Sequence, residues 1–177
     1  MNLYQKSAGG LELLSYILDV KGGMDLRVRV GAHPFLAGLE PHHLDLLASC
    51  ASLKQFQERE VIFRAGERAN GFYLIEKGSV AIEEWVPERG TITIEMLSAG
   101  EPLGWSWIFP PYAWHFLARA TRSTAALFFD AAVLRKYCNE DLTLGHELFR
   151  RMSTVMVRRL QASRRKLIDA LKPATLR

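Results

Sequence analysis

Apolar residues alternate along the stretch from Gly71 to Val80, with Phe72 and Leu74 on one side and Tyr73 and Ile75 on the other. A period of two belongs to a strand, whose successive side chains point to opposite faces. Gly78 breaks the run and predicts a chain reversal, so the segment reads as a hairpin. Similar short runs predict about eight strands from Leu53 to Phe129, with turns at Ala65-Gly66-Glu67, Pro87-Glu88-Arg89-Gly90 and Ser98-Ala99-Gly100. Strands at such regular spacing predict a mainly β, jelly-roll-like β-roll with flanking helices.

The period changes at both ends of this region. Pro41, followed by Leu44, Leu46 and Leu47, predicts a short helix with proline in its first turn. Asp130 is placed to cap a helix from Ala131 to Tyr137, because a carboxylate there accepts from the orphan N–H groups of the first turn. A long helix is predicted from Leu142 to Leu171, ended by Lys172-Pro173. Along it Phe149, Met156, Leu160, Ser163, Leu167 and Ala170 recur in steps of three, four or seven. That is a seam of heptad type, predicting a homodimer; the other reading is a stripe packed on its own β-roll. Upstream, Leu11, Leu14 and Leu18 lie between Gly9-Gly10 and Gly22-Gly23, which predicts a short helix between joints. Met24 is a second candidate for the start of the chain. The expected organisation is an N-terminal extension over 1–30, a β-roll over 31–140, a dimerisation-type helix over 141–172 and a tail over 173–177.

Composition adds limits. With 49% apolar residues, a chain of 177 residues fits one globular domain with a real core. No segment has the length and apolarity of a membrane span, and the start lacks the order of a secretory signal, so the expected location is cytoplasmic. The net charge of +4 is concentrated in Arg150, Arg151, Arg158, Arg159, Arg164, Arg165 and Lys166, which read as a solvated helix face. Cys50 and Cys138 have no metal or redox spacing and read as buried thiols. His42 and His43 are adjacent on a helix start and read as solvent-facing, so no metal ligand is predicted. Gly104-Trp105-Ser106 shares its start with a nucleophile elbow, but the second glycine is missing and no histidine is placed as its partner. No catalytic residue is predicted, and the chain does not read as an enzyme.

The run from Gly66 to Val80, the lead-in Pro34-Phe35-Leu36-Ala37-Gly38-Leu39, Glu60-Val61-Ile62-Phe63 and Thr91 to Leu97 together resemble the cyclic-nucleotide-binding domain. This is the β-roll of Crp/Fnr-type bacterial regulators and of cyclic-AMP-dependent kinase regulatory subunits. The likeness runs from His33 to Leu171, most of the chain. In that family a phosphate-binding cassette follows, with Gly-Glu, a short helix and an arginine before a strand. Matching Gly104 at one end and Arg119-Ala120 at the other sets Trp105 in place of the ribose-binding glutamate and Trp114 in place of the phosphate-binding arginine. Neither indole accepts a hydroxyl hydrogen or carries a full charge, although each N–H is a donor. Charge-assisted hydrogen bonds are worth roughly 1.5–3 kcal/mol each, so losing two weakens binding by about two to four decades.

The resemblance therefore implies a ligand pocket at Gly104, Trp105, Ser106, Trp114 and Phe116 that is aromatic where the family is charged. Backbone N–H groups from Gly104 to Ser106 would cradle an anion if they open a short helix. His115 and Arg119 are the candidate substitute phosphate contacts, yet alternation in one strand sends both away from Trp114. No cofactor is expected, and a cyclic nucleotide is doubtful as ligand. Those regulators carry a winged helix-turn-helix after the long helix, whereas Pro173 to Arg177 are too few to form one, so direct DNA contact is not expected. The implied function is a non-enzymatic regulatory or sensory module coupling the aromatic pocket to a helix whose seam includes Phe149, Met156, Leu160 and Leu167. The alternatives are a ligand-free scaffold for a protein partner and the sensor half of a transcription regulator acting through a partner.

Overall fold

The computed structural model describes residues 26–171; the helix expected between Leu11 and Val20 lies outside them. Two compact units divide the chain, the first ending at Arg135 and the second starting at Lys136.

The first unit opens with α1 over residues 26–32, a 3-10 turn Pro34–Leu36 and α2, Pro41–Ser49. Eight strands follow: β1 Ala51–Phe56, β2 Val61–Phe63, β3 Gly71–Lys77, β4 Ser79–Val86, β5 Gly90–Ser98, β6 Pro102–Leu103, β7 Leu117–Ala120 and β8 Thr124–Asp130. They form two antiparallel sheets, ordered β1-β8-β3-β6 and β2-β7-β4-β5. The β-roll is as the alternating pattern predicts. Gly78 makes the reversal between β3 and β4 at φ +93°, a left-handed conformation that glycine takes without Cβ strain.

Alternation divides β3 between two aromatic layers. Tyr73 and Ile75 join Phe63, Val80, Ile82, Leu97, Leu103, Trp114, Ala118 and Ala126 in the core between the sheets. Phe72 points outward and stacks on Phe129 of β8 at 4.8 Å and on Trp107 at 5.5 Å. Both faces are buried, so this strand carries apolar residues at nearly every position.

The helical lead-in is tied to β3 by polar contacts. Arg29 holds Glu76 through two bonds of 3.1 and 2.6 Å. His33 accepts from the Phe35 N–H at Nδ1, 3.2 Å, which leaves Nε2 as the donor to the Ile75 carbonyl at 3.1 Å. His43 corrects an expectation. It is only 2% exposed, whereas the pattern was read as solvent-facing for both histidines. Adjacent helix positions diverge, and His43 shares its buried face with Leu47 one turn on, while His42 is exposed.

Helix α3, Ala131–Glu140, starts where Asp130 Oδ1 accepts from the N–H groups of Ala132 and Val133, at 2.9 and 3.0 Å, and runs three residues past its expected end. In the second unit Asp141 caps α4, Leu142–Leu171, in the same way through Thr143 and Leu144. Gly145 lets the first turn of α4 approach α3: a Cβ there would lie 2.7 Å from the Cys138 carbonyl oxygen. Glu147 binds Arg150 and Arg151, and their hydrogen bonds, Arg150 foremost, hold its carboxyl down at about 2. Both cysteines are free and half-buried, less enclosed than expected. Burial, aided by the Asp141 charge, pushes the Cys138 thiol up to about 11, so it stays protonated and unreactive. Among the described residues no helix is long and apolar enough to cross a membrane.

Candidate functional site

The predicted pocket residues Gly104, Trp105, Ser106, Trp114 and Phe116 lie in the segment between β6 and β7. That segment contains no helix, so the condition for an anion cradle at Gly104 to Ser106, a short helix opening there, is not met. Gly104 turns the chain at φ +87°, the Ile108 N–H closes a turn on the Trp105 carbonyl at 3.1 Å, and Pro110-Pro111 is a cis peptide. The return leg is bonded to the loop between β2 and β3. Trp114 donates to the Glu67 carbonyl and accepts from the Gly66 N–H, both at 2.8 Å, while the Tyr112 carbonyl accepts from Ala69 at 2.7 Å. Trp114 thus lies before β7 rather than in one strand with Arg119, which corrects that expectation and its parity argument.

These backbone bonds set the Trp114 indole inside the roll. It is 4% exposed and lies parallel to Phe63, with 3.9 Å between ring centroids. A Cβ on Gly104 would come within 2.6 Å of the indole, so the glycine makes room for it. Tyr73 stacks beyond Phe63 at 6.2 Å, and Phe56, Phe116 and Phe128 pack around the same core. The interior is consequently apolar, and burial pushes the Tyr73 hydroxyl up to about 12. Such surroundings supply neither a carboxylate for a ribose nor a cation for a phosphate.

The remaining predicted residues lie outside that core. Trp105 stacks on His115 at 4.9 Å, and Ser106 Oγ is hydrogen-bonded to His115 Nδ1 at 2.9 Å. This pairing of serine and histidine was not expected. Ser106 is 3% exposed, however, which denies an acyl substrate the access that nucleophilic attack requires. Arg119 bonds to Glu83 at 3.0 Å and to the Arg59 carbonyl at 3.1 Å. Its neighbour Ala118 faces the core, so the guanidinium leaves on the opposite face of β7. His115 is exposed.

Sequence reasoning missed Phe63 and Arg135. Phe63 reads as one more strand residue, and only the return of the 112–116 segment onto the β2–β3 loop makes it the partner of Trp114. Arg135 of α3 donates to the Trp107 carbonyl at 3.0 Å and lies over the Tyr112 ring at 4.4 Å. A lone arginine in a helix gives no signal of either contact.

Two antiparallel sheets rolled around an aromatic core, with a glycine-led loop before β7 and helices at both ends, define a β-roll of the nucleotide-sensor type. Residues 53–141, half of the chain, match the cyclic nucleotide-binding domain model, and the chain belongs to that family. Solved structures share the fold. A putative cyclic nucleotide-binding protein from Geobacter metallireducens GS-15 is 25% identical, with a TM-score of 0.66 over 78% of this chain and 97% of its own. A cyclic nucleotide-binding domain from Methylobacillus flagellatus KT is 15% identical, with a TM-score of 0.71 over 88% of each chain. The regulatory subunit of a cAMP-independent protein kinase A from Trypanosoma brucei is 18% identical, with a TM-score of 0.62 over 76% of this chain and 48% of its own. No curated protein matches the sequence.

Proposed function

We propose that this chain is a non-enzymatic regulatory module that has kept the cyclic-nucleotide-binding roll and given up the nucleotide. Trp114 carries the reading. Its indole fills the interior against Phe63 and under Gly104, at the position where the family resemblance sets the phosphate-binding arginine. A cyclic phosphate there would meet an apolar wall, and an unpaired charge pays heavily for such burial. The trypanosomal subunit, which belongs to a protein kinase A described as cAMP-independent, supports a role for this roll apart from that ligand. The output surface is α4, whose seam at Phe149, Met156, Leu160 and Leu167 pairs two copies for display to a protein partner.

A second reading, a sensor of another small molecule, draws on Trp105, which is half-exposed and stacked on exposed His115. Thermal stabilisation by a ligand would favour it, because binding the native state raises its stability by mass action.

Calorimetric titration of the whole chain with cyclic AMP and cyclic GMP tests the main reading. No heat of binding is expected at nucleotide concentrations up to about 1 mM. Micromolar binding of either nucleotide would overturn it.

A further inference from the structure

Strand β1 ends its sheet, and one side of its backbone is open. It pairs with β8 alone, Ala51 to Phe56 lying opposite Phe129 to Thr124. The bond from the Asp130 N–H to the Cys50 carbonyl, one step before that register begins, fixes which groups face β8, because the hydrogen-bonding residues of an antiparallel pair alternate. Ser52, Lys54 and Phe56 therefore turn their backbone groups toward β8, and Ala51, Leu53 and Gln55 turn theirs away. Among the described residues nothing bonds to the N–H or carbonyl of these last three. The centre of the strand lies in solvent: Leu53 is 38% exposed, and Lys54 and Gln55 beside it are exposed too. Such a row of unused donors and acceptors matches the backbone of another extended chain.

The side chains say which extended chain fits. Leu53 stands on the face of its buried cross-strand partner Leu127 and offers an apolar contact. Lys54 stands on the other face, opposite the small Ala126, with its Nζ 5.7 Å from the centre of the Phe128 ring. Among the described residues no carboxylate pairs with Lys54. A lysine in the middle of an edge deters an indifferent apolar strand. The strand it admits is one that brings a carboxylate beside it, since opposite charges across a pair of strands attract.

We propose that β1 is a docking edge for an extended segment of a partner protein in which apolar and acidic residues alternate. In antiparallel pairing the apolar residues stand on the Leu53 face and exchange backbone bonds with Ala51, Leu53 and Gln55, while the acidic residues stand on the face of Lys54. This edge uses neither Trp114 nor α4, so it stands or falls apart from the proposed loss of nucleotide binding and from the pairing of α4.

The test uses backbone amide resonances of the 15N-labelled whole chain and capped synthetic heptapeptides. The first alternates valine with glutamate between terminal threonines, the second has lysine for glutamate, and the third is the first with its valine nitrogens methylated. The expected result is a saturable shift centred on the Ala51, Leu53 and Gln55 amides, with a Kd for the glutamate peptide of about 1 mM or tighter. The lysine peptide should bind about twofold to fivefold more weakly, and Lys54→Glu should reverse that order. Methylation, which removes the peptide's donors to β1, should weaken binding by roughly tenfold or more. The proposal is overturned if the β1 amides do not respond, if the response is confined to the arginine-rich part of α4, if the methylated peptide binds equally well, or if glutamate is not preferred or stays preferred in Lys54→Glu.

Discussion

Trp114 and Phe63 lie ring on ring, 3.9 Å between centroids and 11° between planes, in the core that the two sheets enclose. Phe63 ends β2, while Trp114 sits in the loop before β7. The stack therefore closes the roll across a large sequence separation, and the backbone bonds of Trp114 to Gly66 and Glu67 fix its register. An aromatic pair so placed fills the interior and joins the loop before β7 to the sheet.

Trp114→Ala should accordingly cost about 3–5 kcal/mol of stability, the range for removing a large aromatic side chain from a packed core. Denaturant unfolding measures it from the shift in midpoint. A loss under about 1 kcal/mol would mean that the loop collapses into the space, and that the stack is incidental to the fold.

Gly104→Ala tests the same packing from the other side. At φ +87° any Cβ is strained, and here it would also lie 2.6 Å from the indole. Strain alone costs of order 1–3 kcal/mol, with the clash adding to it. In Trp114→Ala the clash is gone and only the backbone strain remains. The double variant should then lose less than the sum of the single losses, a coupling of about 0.5–3 kcal/mol for residues in contact. Strict additivity would show that the glycine serves its φ angle and nothing else.

His33 links stability to pH. Burial lowers its pKa below the ordinary 6.5, against the opposing effects of its hydrogen bond to the Ile75 carbonyl and the charge of Glu76. A depressed pKa means the folded protein binds this proton more weakly than the unfolded chain does. The stability associated with the neutral ring is thus whole above about 6.5 and is lost as the pH falls through the folded value. Protonation would also remove the Nδ1 acceptor of the Phe35 N–H. Melting temperatures should fall between about pH 7 and 5, and His33→Gln should flatten that fall. An equally steep profile in the variant would assign the effect to other groups.

Most of the fold was legible because its signals are local. Alternation with a glycine break gave β3 and β4, Asp130 marked the start of α3, and Lys172-Pro173 marked the end of α4. Adjacent histidines misled because the sequence alone does not say which side of a short helix is buried, and His43 proved to be on that side. At the site, the concentration of aromatic residues between Gly104 and Phe116 could be read from the sequence directly. The packing of Trp114 could not, since its stack on Phe63 depends on where a loop with no helical or strand period returns. The Ser106–His115 bond and the Arg135 contact with Trp107 arise from the same tertiary folding of that loop onto its neighbours.

The last prediction concerns α4 in its proposed role as a paired output helix. Leu144, Leu148 and Met152 are buried, whereas Leu160 is 70% and Leu167 61% exposed, so the apolar stripe changes face along the helix and continues into solvent. Exposed leucines a heptad apart suit the proposed pairing, since burying such side chains against a second copy would be worth about 1.5–3 kcal/mol each. The flanking Arg158, Arg164 and Arg165 do not compensate that exposure, but they would keep a paired seam soluble at its rim. Leu160→Glu with Leu167→Glu should therefore convert a dimer into a monomer in sedimentation velocity while leaving the thermal transition of the β-roll in place. A wild-type chain that sediments as a monomer at concentrations up to about 100 μM would remove homodimerisation from the proposed function and leave the stripe for a different protein partner.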